Sequence, residues 1–226
     1  FREKAKITRK NSAFTVRKDV SEDRYYCYHD IQLQGPPPAR SFPLGFRFLL
    51  PRLLSRRFSF QHVEGNRSGP ANFPAKITID PPKEIIEWKL REGEVVMFRW
   101  NDLVGFSKGI NFRRVASLSL SSLILGRIIY YSAEGPGTIY FKTLSAPDIS
   151  ATKTRRSPFD PTGLVAWNAP IRFHVDASLS TLNAFLSSFN ITTERGNDYV
   201  RDTTDRRVRG TSGGILRFVT TFLLPI

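Results

Sequence analysis

Short runs of apolar, β-branched and aromatic residues alternate with turn residues between Leu90 and Pro147, a punctuation that predicts strands. Gly93-Glu94 opens a run over residues 95–100, Asn101-Asp102 turns the chain, and residues 103–106 form the next run. Residues 126–131 lead into Glu134-Gly135-Pro136-Gly137, after which residues 138–141 resume extended structure. The proline fixes φ at its own position and the flanking glycines accept positive φ, so this tetrapeptide predicts a hairpin turn. Upstream, residues 58–63 alternate in strand fashion. Residues 76–79 form a second alternating run, broken by Asp80-Pro81-Pro82, and residues 84–90 begin a third.

Two of these runs have echoes. Asp102-Leu103-Val104-Gly105-Phe106-Ser107 is followed 61 positions later by Gly163-Leu164-Val165-Ala166-Trp167-Asn168. Each copy is an apolar pair, a small residue, an aromatic and a polar turn residue. Gly137-Thr138-Ile139-Tyr140-Phe141 is echoed more weakly by Gly214-Ile215-Leu216-Arg217-Phe218. The pattern predicts an all-β fold with an internal duplication, in a domain that begins near residue 58. Helical spacing is rare: Leu179, Leu182, Phe185, Leu186 and Phe189 predict a helix over residues 179–189, capped by Asp176 or Ser178. Residues 148–161 read as a polar loop and residues 194–214 as a long exposed hairpin loop.

Residues 1–57 read differently, as a basic N-terminal extension and not a domain. Residues 1–18 are basic without clear periodicity, residues 21–30 hold an acidic, tyrosine-rich cluster, and Gly35-Pro36-Pro37-Pro38 is a stiff polyproline-type joint. Residues 42–60 then mix apolar side chains with Arg47, Arg52, Arg56 and Arg57. Within them, residues 49–54 predict a short amphipathic helix with Pro51 in its first turn. Such a segment suits a membrane surface, a groove on a partner protein, or ribosomal RNA.

Charge changes the picture. A formal net charge of +14 and a pI near 10.3 point to a polyanionic neighbour, nucleic acid or an anionic membrane. The one cysteine, Cys27, rules out an internal disulfide and a cysteine-based zinc cluster, and fits a reducing compartment. The chain opens on Phe1, as a processed or trimmed chain would. Its longest apolar runs, within residues 118–131 and 215–226, are short and interrupted by Arg127 and Arg217, so no transmembrane span is expected.

Catalytic chemistry finds little support. His29, His62 and His174 lack metal-ligand spacing, and no nucleophile pairs with them in a recognisable pattern. Gly210-Thr211-Ser212-Gly213-Gly214 matches a nucleophile-elbow pattern, but a charged loop precedes it and a strand-like run follows, so it reads as a turn. Cys27 lies among Tyr25, Tyr26 and Tyr28, a packing environment. No phosphate-binding glycine loop occurs. No enzyme activity, cofactor, metal or small-molecule substrate is expected.

Arginine is the more informative residue. Four Arg-Arg pairs fall at predicted element ends or loops: Arg56-Arg57, Arg113-Arg114, Arg155-Arg156 and Arg206-Arg207, the last followed by Arg209. With Arg52 these are the candidates for binding phosphate, because the planar guanidinium forks onto phosphate and stacks on bases. Phe58, Phe112, Phe159 and Tyr199 lie near them as candidate stacking platforms. Without a sequence-reading motif, the binding expected is backbone-directed and salt dependent.

Gly93-Glu94-Val95-Val96, Leu103-Val104-Gly105-Phe106-Ser107, Gly135 to Phe141 and Leu164-Val165-Ala166-Trp167, in that order, resemble the family named altered inheritance of mitochondria protein 24. That family's domain is similar to the fold of the tryptophan RNA-binding attenuation protein. The resemblance covers roughly residues 58–226, and its glycine and apolar positions are structural. It implies a TRAP-like β-sandwich of duplicated halves, a mitochondrial setting in the matrix or on the matrix face of the inner membrane, and no catalytic residues. Together with the arginine pairs, it leads to a non-catalytic structural subunit of a large mitochondrial assembly. The mitochondrial ribosome is favoured, with rRNA and neighbouring proteins as partners; the alternative is an inner-membrane scaffold. An RNA role requires the N-terminal arm to run away from its own domain. A membrane role requires Phe46, Leu49, Leu50, Leu53 and Leu54 to lie on one exposed helix face.

Overall fold

The structure, a computed structural model, describes residues 7–10, 13–15, 23–27, 32–34, 39–46, 48–55, 59–63, 76–81, 83–116, 129–144, 147–149, 163–168, 173–175, 191–193 and 198–202. In chain order the elements are β1 (Ile7–Lys10), β2 (Ala13–Thr15), β3 (Arg24–Cys27), β4 (Gln32–Gln34), β5 (Ala39–Ser41), α1 (Leu49–Leu54), β6 (Phe60–Val63), β7 (Lys76–Thr78) and β8 (Glu84–Leu90). Then come β9 (Val95–Phe98), a 3-10 turn (Trp100–Asp102), β10 (Leu103–Ser107), β11 (Asn111–Ala116), β12 (Ile129–Glu134), β13 (Gly137–Thr143), β14 (Pro147–Ile149), β15 (Leu164–Asn168), β16 (Phe173–Val175), β17 (Ile191–Thr193) and β18 (Tyr199–Asp202).

Two antiparallel sheets form a β-sandwich. One has seven strands in the order β1-β8-β13-β10-β3-β6-β5, the other six in the order β11-β12-β9-β15-β18-β14. Alternation along β8 shows how the sequence builds the layers. Ile86, Trp88 and Leu90 enter the core between the sheets, while Ile85 joins a second cluster with Tyr26, Val104, Tyr140 and Ile77. Ile77 belongs to the three-stranded sheet β2-β7-β4, so the far face of the seven-stranded sheet is covered too. The main core is aromatic: Phe98 meets Phe141 across the sandwich at 5.6 Å between centroids, and Phe106 meets Phe112 edge-on at 4.8 Å.

From β8 to β13 the chain crosses repeatedly between the two sheets, pausing only at the β11–β12 hairpin. β8, β10 and β13 lie in one sheet, whereas β9, β11 and β12 lie in the other. The predicted turn at Asn101-Asp102 is therefore a crossover from sheet to sheet, fixed by the buried ion pair of Arg99 with Asp102. Gly135-Pro136-Gly137 also differs from its expected role: it passes the chain from β12 to β13 in the opposite sheet and closes no hairpin. Gly137 has φ +150° and the Gly135–Pro136 bond is cis. A Cβ at Gly137 would stand 2.4 Å from Ser107 Oγ, whose hydroxyl accepts the Thr138 amide at 2.9 Å.

The segment read as an extension is woven into the sandwich. β3 lies between β10 and β6, pairing Tyr26 with both Gly105 and Gln61; β1 pairs with β8, and β5 with β6. Alternation of Tyr25 and Cys27 into the core with Arg24 and Tyr26 to the far face explains why this short tyrosine-rich run is a strand. Part of the predicted loop 194–214 is also a strand. β18 buries Tyr199, Val200 and Asp202 between β15 and β14. The helix predicted over 179–189 and the strand predicted after Gly214 lie outside the described residues.

Candidate docking surface

The sequence of α1, Leu-Leu-Pro-Arg-Leu-Leu, gives a helix of six residues with Pro51 in the first turn, where its missing N–H costs no helical hydrogen bond. So short a helix is not stable alone, and its position is set by what anchors it. The first anchor is Phe48, which precedes the helix. Its ring is buried against Trp100 at 5.5 Å, Tyr131 at 6.0 Å and Phe112 at 6.4 Å. Its backbone has φ +57°, a left-handed conformation that costs a bulky residue about 1–3 kcal/mol and persists only where packing over-determines it. The second anchor is Arg52, fully buried, whose guanidinium donates to the Gly45 carbonyl and lies 5.8 Å from the Phe60 ring centre. Burial pushes the Arg52 guanidinium pKa down, with Cys27 acting in the opposite sense. At the other end, the Ser55 hydroxyl donates to Pro51 O at 2.6 Å and accepts from Trp100 Nε1 at 3.2 Å.

These anchors turn the remaining apolar side chains outward. Phe46 is 90% exposed, Leu53 62% and Leu50 58%, and Phe42 and Leu49 are exposed as well. Among the described residues, five of the seven exposed large hydrophobic ones thus fall within residues 42–53, which form an apolar lip. The strand β11 runs beside it. Arg114 lies 5.7 Å from the Phe48 ring centre, and Arg113, exposed, pairs with Glu134 at 2.8 Å.

The predicted site residues are divided by this geometry. Arg113 and Arg114 are exposed on β11, at the end of the six-stranded sheet. Arg52 is not available to phosphate, because the helix turns it inward onto Gly45 and Phe60. Phe112 and Tyr199, expected as stacking platforms, are buried. Arg56, Arg57, Arg155, Arg156, Arg206, Arg207 and Arg209 lie outside the described residues, as do Phe58 and Phe159. Phe46, Leu49, Leu50 and Leu53 occupy the exposed positions that a membrane role requires; the Leu54 side chain is not described. Sequence reasoning missed Phe42 as part of the lip and Phe48 as its anchor: in an extended chain Phe46 and Phe48, two residues apart, would face the same way, whereas here one is exposed and the other, with its left-handed backbone, is buried.

Of the other candidates, His29 and Gly210-Thr211-Ser212-Gly213-Gly214 lie outside the described residues, and the His174 side chain is not described. His62 stacks on Tyr25 at 4.9 Å and stands 3.8 Å from Asp23, and the buried Cys27 thiol donates to Leu103 O at 3.4 Å. Among the described residues no group of three His, Cys, Asp or Glu is placed to hold a metal ion, and no helix is long and apolar enough to cross a membrane.

No family model matches the chain, and no curated protein matches it. A solved crystal structure is similar: protein SPYM3_0169 of Streptococcus pyogenes, at 12% identity and a TM-score of 0.53, covering 88% of this chain and 94% of the bacterial one. The likeness is one of fold. Residues 58–226 make up three quarters of the chain, so a match of 88% reaches into the first 57 residues, in keeping with the strands found there.

Proposed function

We propose that this protein is a non-catalytic scaffold that works by docking, as a structural subunit of a mitochondrial inner-membrane assembly. The exposed lip of Phe46, Leu49, Leu50 and Leu53 carries the reading: a folded domain that anchors a helix with its leucines outward has built a contact surface. The mitochondrial setting rests on the resemblance to the altered inheritance of mitochondria protein 24 family. Two observations favour the inner-membrane scaffold over the ribosomal subunit. The described strands β1, β3 and β5 of the N-terminal segment pair within the protein's own seven-stranded sheet, and Arg52 faces inward. The ribosomal reading keeps one observation of its own, the exposed Arg113-Arg114 pair on β11.

Sedimentation of the native protein from detergent-solubilised mitochondria, with and without ribonuclease, tests the choice. The expected result is migration with a ribonuclease-resistant membrane complex. Migration with ribosomal particles that collapses on ribonuclease treatment would overturn the scaffold reading.

A further inference from the structure

We propose that the lip formed by Phe46, Leu49, Leu50 and Leu53 inserts directly into the interfacial layer of an anionic phospholipid bilayer. The proposal deepens the scaffold reading by naming what the docking surface touches.

Charge selects the occupant. From Ile31 to Val63 the chain contains no aspartate or glutamate, while it carries Arg40, Arg47, Arg56 and Arg57 besides the inward-facing Arg52. The lip sits in the middle of this acid-free stretch. Arg114 stands beside it over the Phe48 ring, and the whole chain carries a net charge of +14. An apolar contact for a protein partner would commonly be rimmed by both signs of charge, which fix register and exclude wrong partners. An acid-free stretch of chain matches instead a surface that is uniformly negative and has no register, which is what anionic headgroups present.

Shape points the same way. Phe46 and the three leucines project from one short helix and the turn before it, a length that spans no bilayer but lets four side chains enter the headgroup and acyl boundary. Arg40 and Arg114, both exposed, have stems long enough to lie along apolar surface with the guanidinium at headgroup level. The anchoring by Phe48 and Arg52 means that no helix has to fold on binding, so the ordering cost that weakens a peptide anchor is already met within the domain.

The test is flotation of the full chain with vesicles of phosphatidylcholine alone and of phosphatidylcholine mixed with phosphatidylglycerol. The unaltered protein is expected to float with the anionic vesicles, to float poorly with neutral ones, and to be released by salt. The double variant Leu50→Asp/Leu53→Asp is expected to lose about tenfold or more in vesicle affinity, since two leucine side chains no longer leave water. Both positions are exposed, so its thermal unfolding should match that of the parent. A second readout uses the single, buried cysteine: Leu50→Cys carrying an environment-sensitive fluorophore should report an apolar shift on anionic vesicles only. Flotation unchanged by the two aspartates, or a label that stays in water, would overturn the proposal. Failure to float at all, alongside sedimentation in a ribonuclease-resistant membrane complex, would overturn lipid insertion and leave the scaffold reading standing on a protein partner. Flotation that depends on Leu50 and Leu53, with sedimentation in ribosomal particles, would uphold insertion and remove the scaffold reading.

Discussion

β10 and β15 carry the same pattern, Leu-Val-small-aromatic, and each is bulged at its valine. They turn opposite faces of that pattern to the core. In β10, Leu103 and Phe106 enter the core between the sheets, while Val104 joins the cluster on the far side. In β15 it is Val165 and Ala166 that enter the shared core, and Trp167 packs edge-on against Tyr130 at 5.9 Å. The small residue explains the difference. Gly105 lies between Tyr26 and Tyr140, and a Cβ there would sit 2.4 Å from Tyr26 Cδ1 and 2.7 Å from Tyr25 O. Ala166 lies between Phe98 and Val200, where a methyl group is accommodated. Neighbouring strands, more than the pattern itself, decide which face is buried.

Four measurements test this contrast. The largest effect is expected from Phe106→Ala, which removes a ring packed on Phe60, Phe112 and Tyr25 and should cost about 3–5 kcal/mol in denaturant unfolding. Trp167→Ala, losing a ring that meets Tyr130 outside the shared core, should cost less; equal losses would mean that the two aromatics are equivalent after all. Next, Gly105→Ala should cost about 1–3 kcal/mol by overpacking, and the loss should shrink in a Tyr26→Leu background. Additive losses would show that Tyr26 is not the obstacle.

The third is a pH effect confined to the β10 side. Burial pushes the Tyr140 phenol pKa well up, and Tyr26 likewise. The folded state therefore holds these protons where the unfolded chain releases them. Stability is fully present below the ordinary tyrosine value of about 10 and falls above it, by about 1.4 kcal/mol per pH unit for each tyrosine. Melting temperatures between pH 9 and pH 11 (roughly spanning that value) should drop in the parent and drop less steeply in Tyr140→Phe. The smallest effect is Ala166→Gly, about 0.5–1 kcal/mol from added unfolded-state freedom. A loss as large as that of Gly105→Ala would erase the asymmetry.

Much of the strand pattern was legible, because β-branched and aromatic alternation is a local property. β8, β10 and β13 fall where residues 84–90, 103–106 and 138–141 predict them. Sheet membership was not legible, since a turn sequence such as Gly135-Pro136-Gly137 has the same residues whether it closes a hairpin or crosses the sandwich. β3 escaped because Arg24 beside acidic residues reads as surface. Its partner is Tyr140, 116 residues away, whose hydroxyl accepts from the guanidinium on the far face of the sheet. The lip was legible in part. The leucines of residues 49–54 announce an amphipathic helix, but which face is inward depends on Phe48 and its aromatic seat, contacts that no local window contains.

The pairing of β1 with β8 and of β3 with β10 has a consequence for a chain that is made, or threaded through a pore, amino end first. Ile7–Lys10 has no strand to lie against until Glu84–Leu90 has emerged, and Arg24–Cys27 lacks one neighbour until Leu103–Ser107 follows. The tyrosines of β3 and the Phe48 ring, whose partners Trp100, Phe112 and Tyr131 come later still, are thus both uncovered during that interval. A nascent or translocating chain would need a holding chaperone for its first hundred or so residues, and would complete its seven-stranded sheet only when β13, the strand between β8 and β10, arrives.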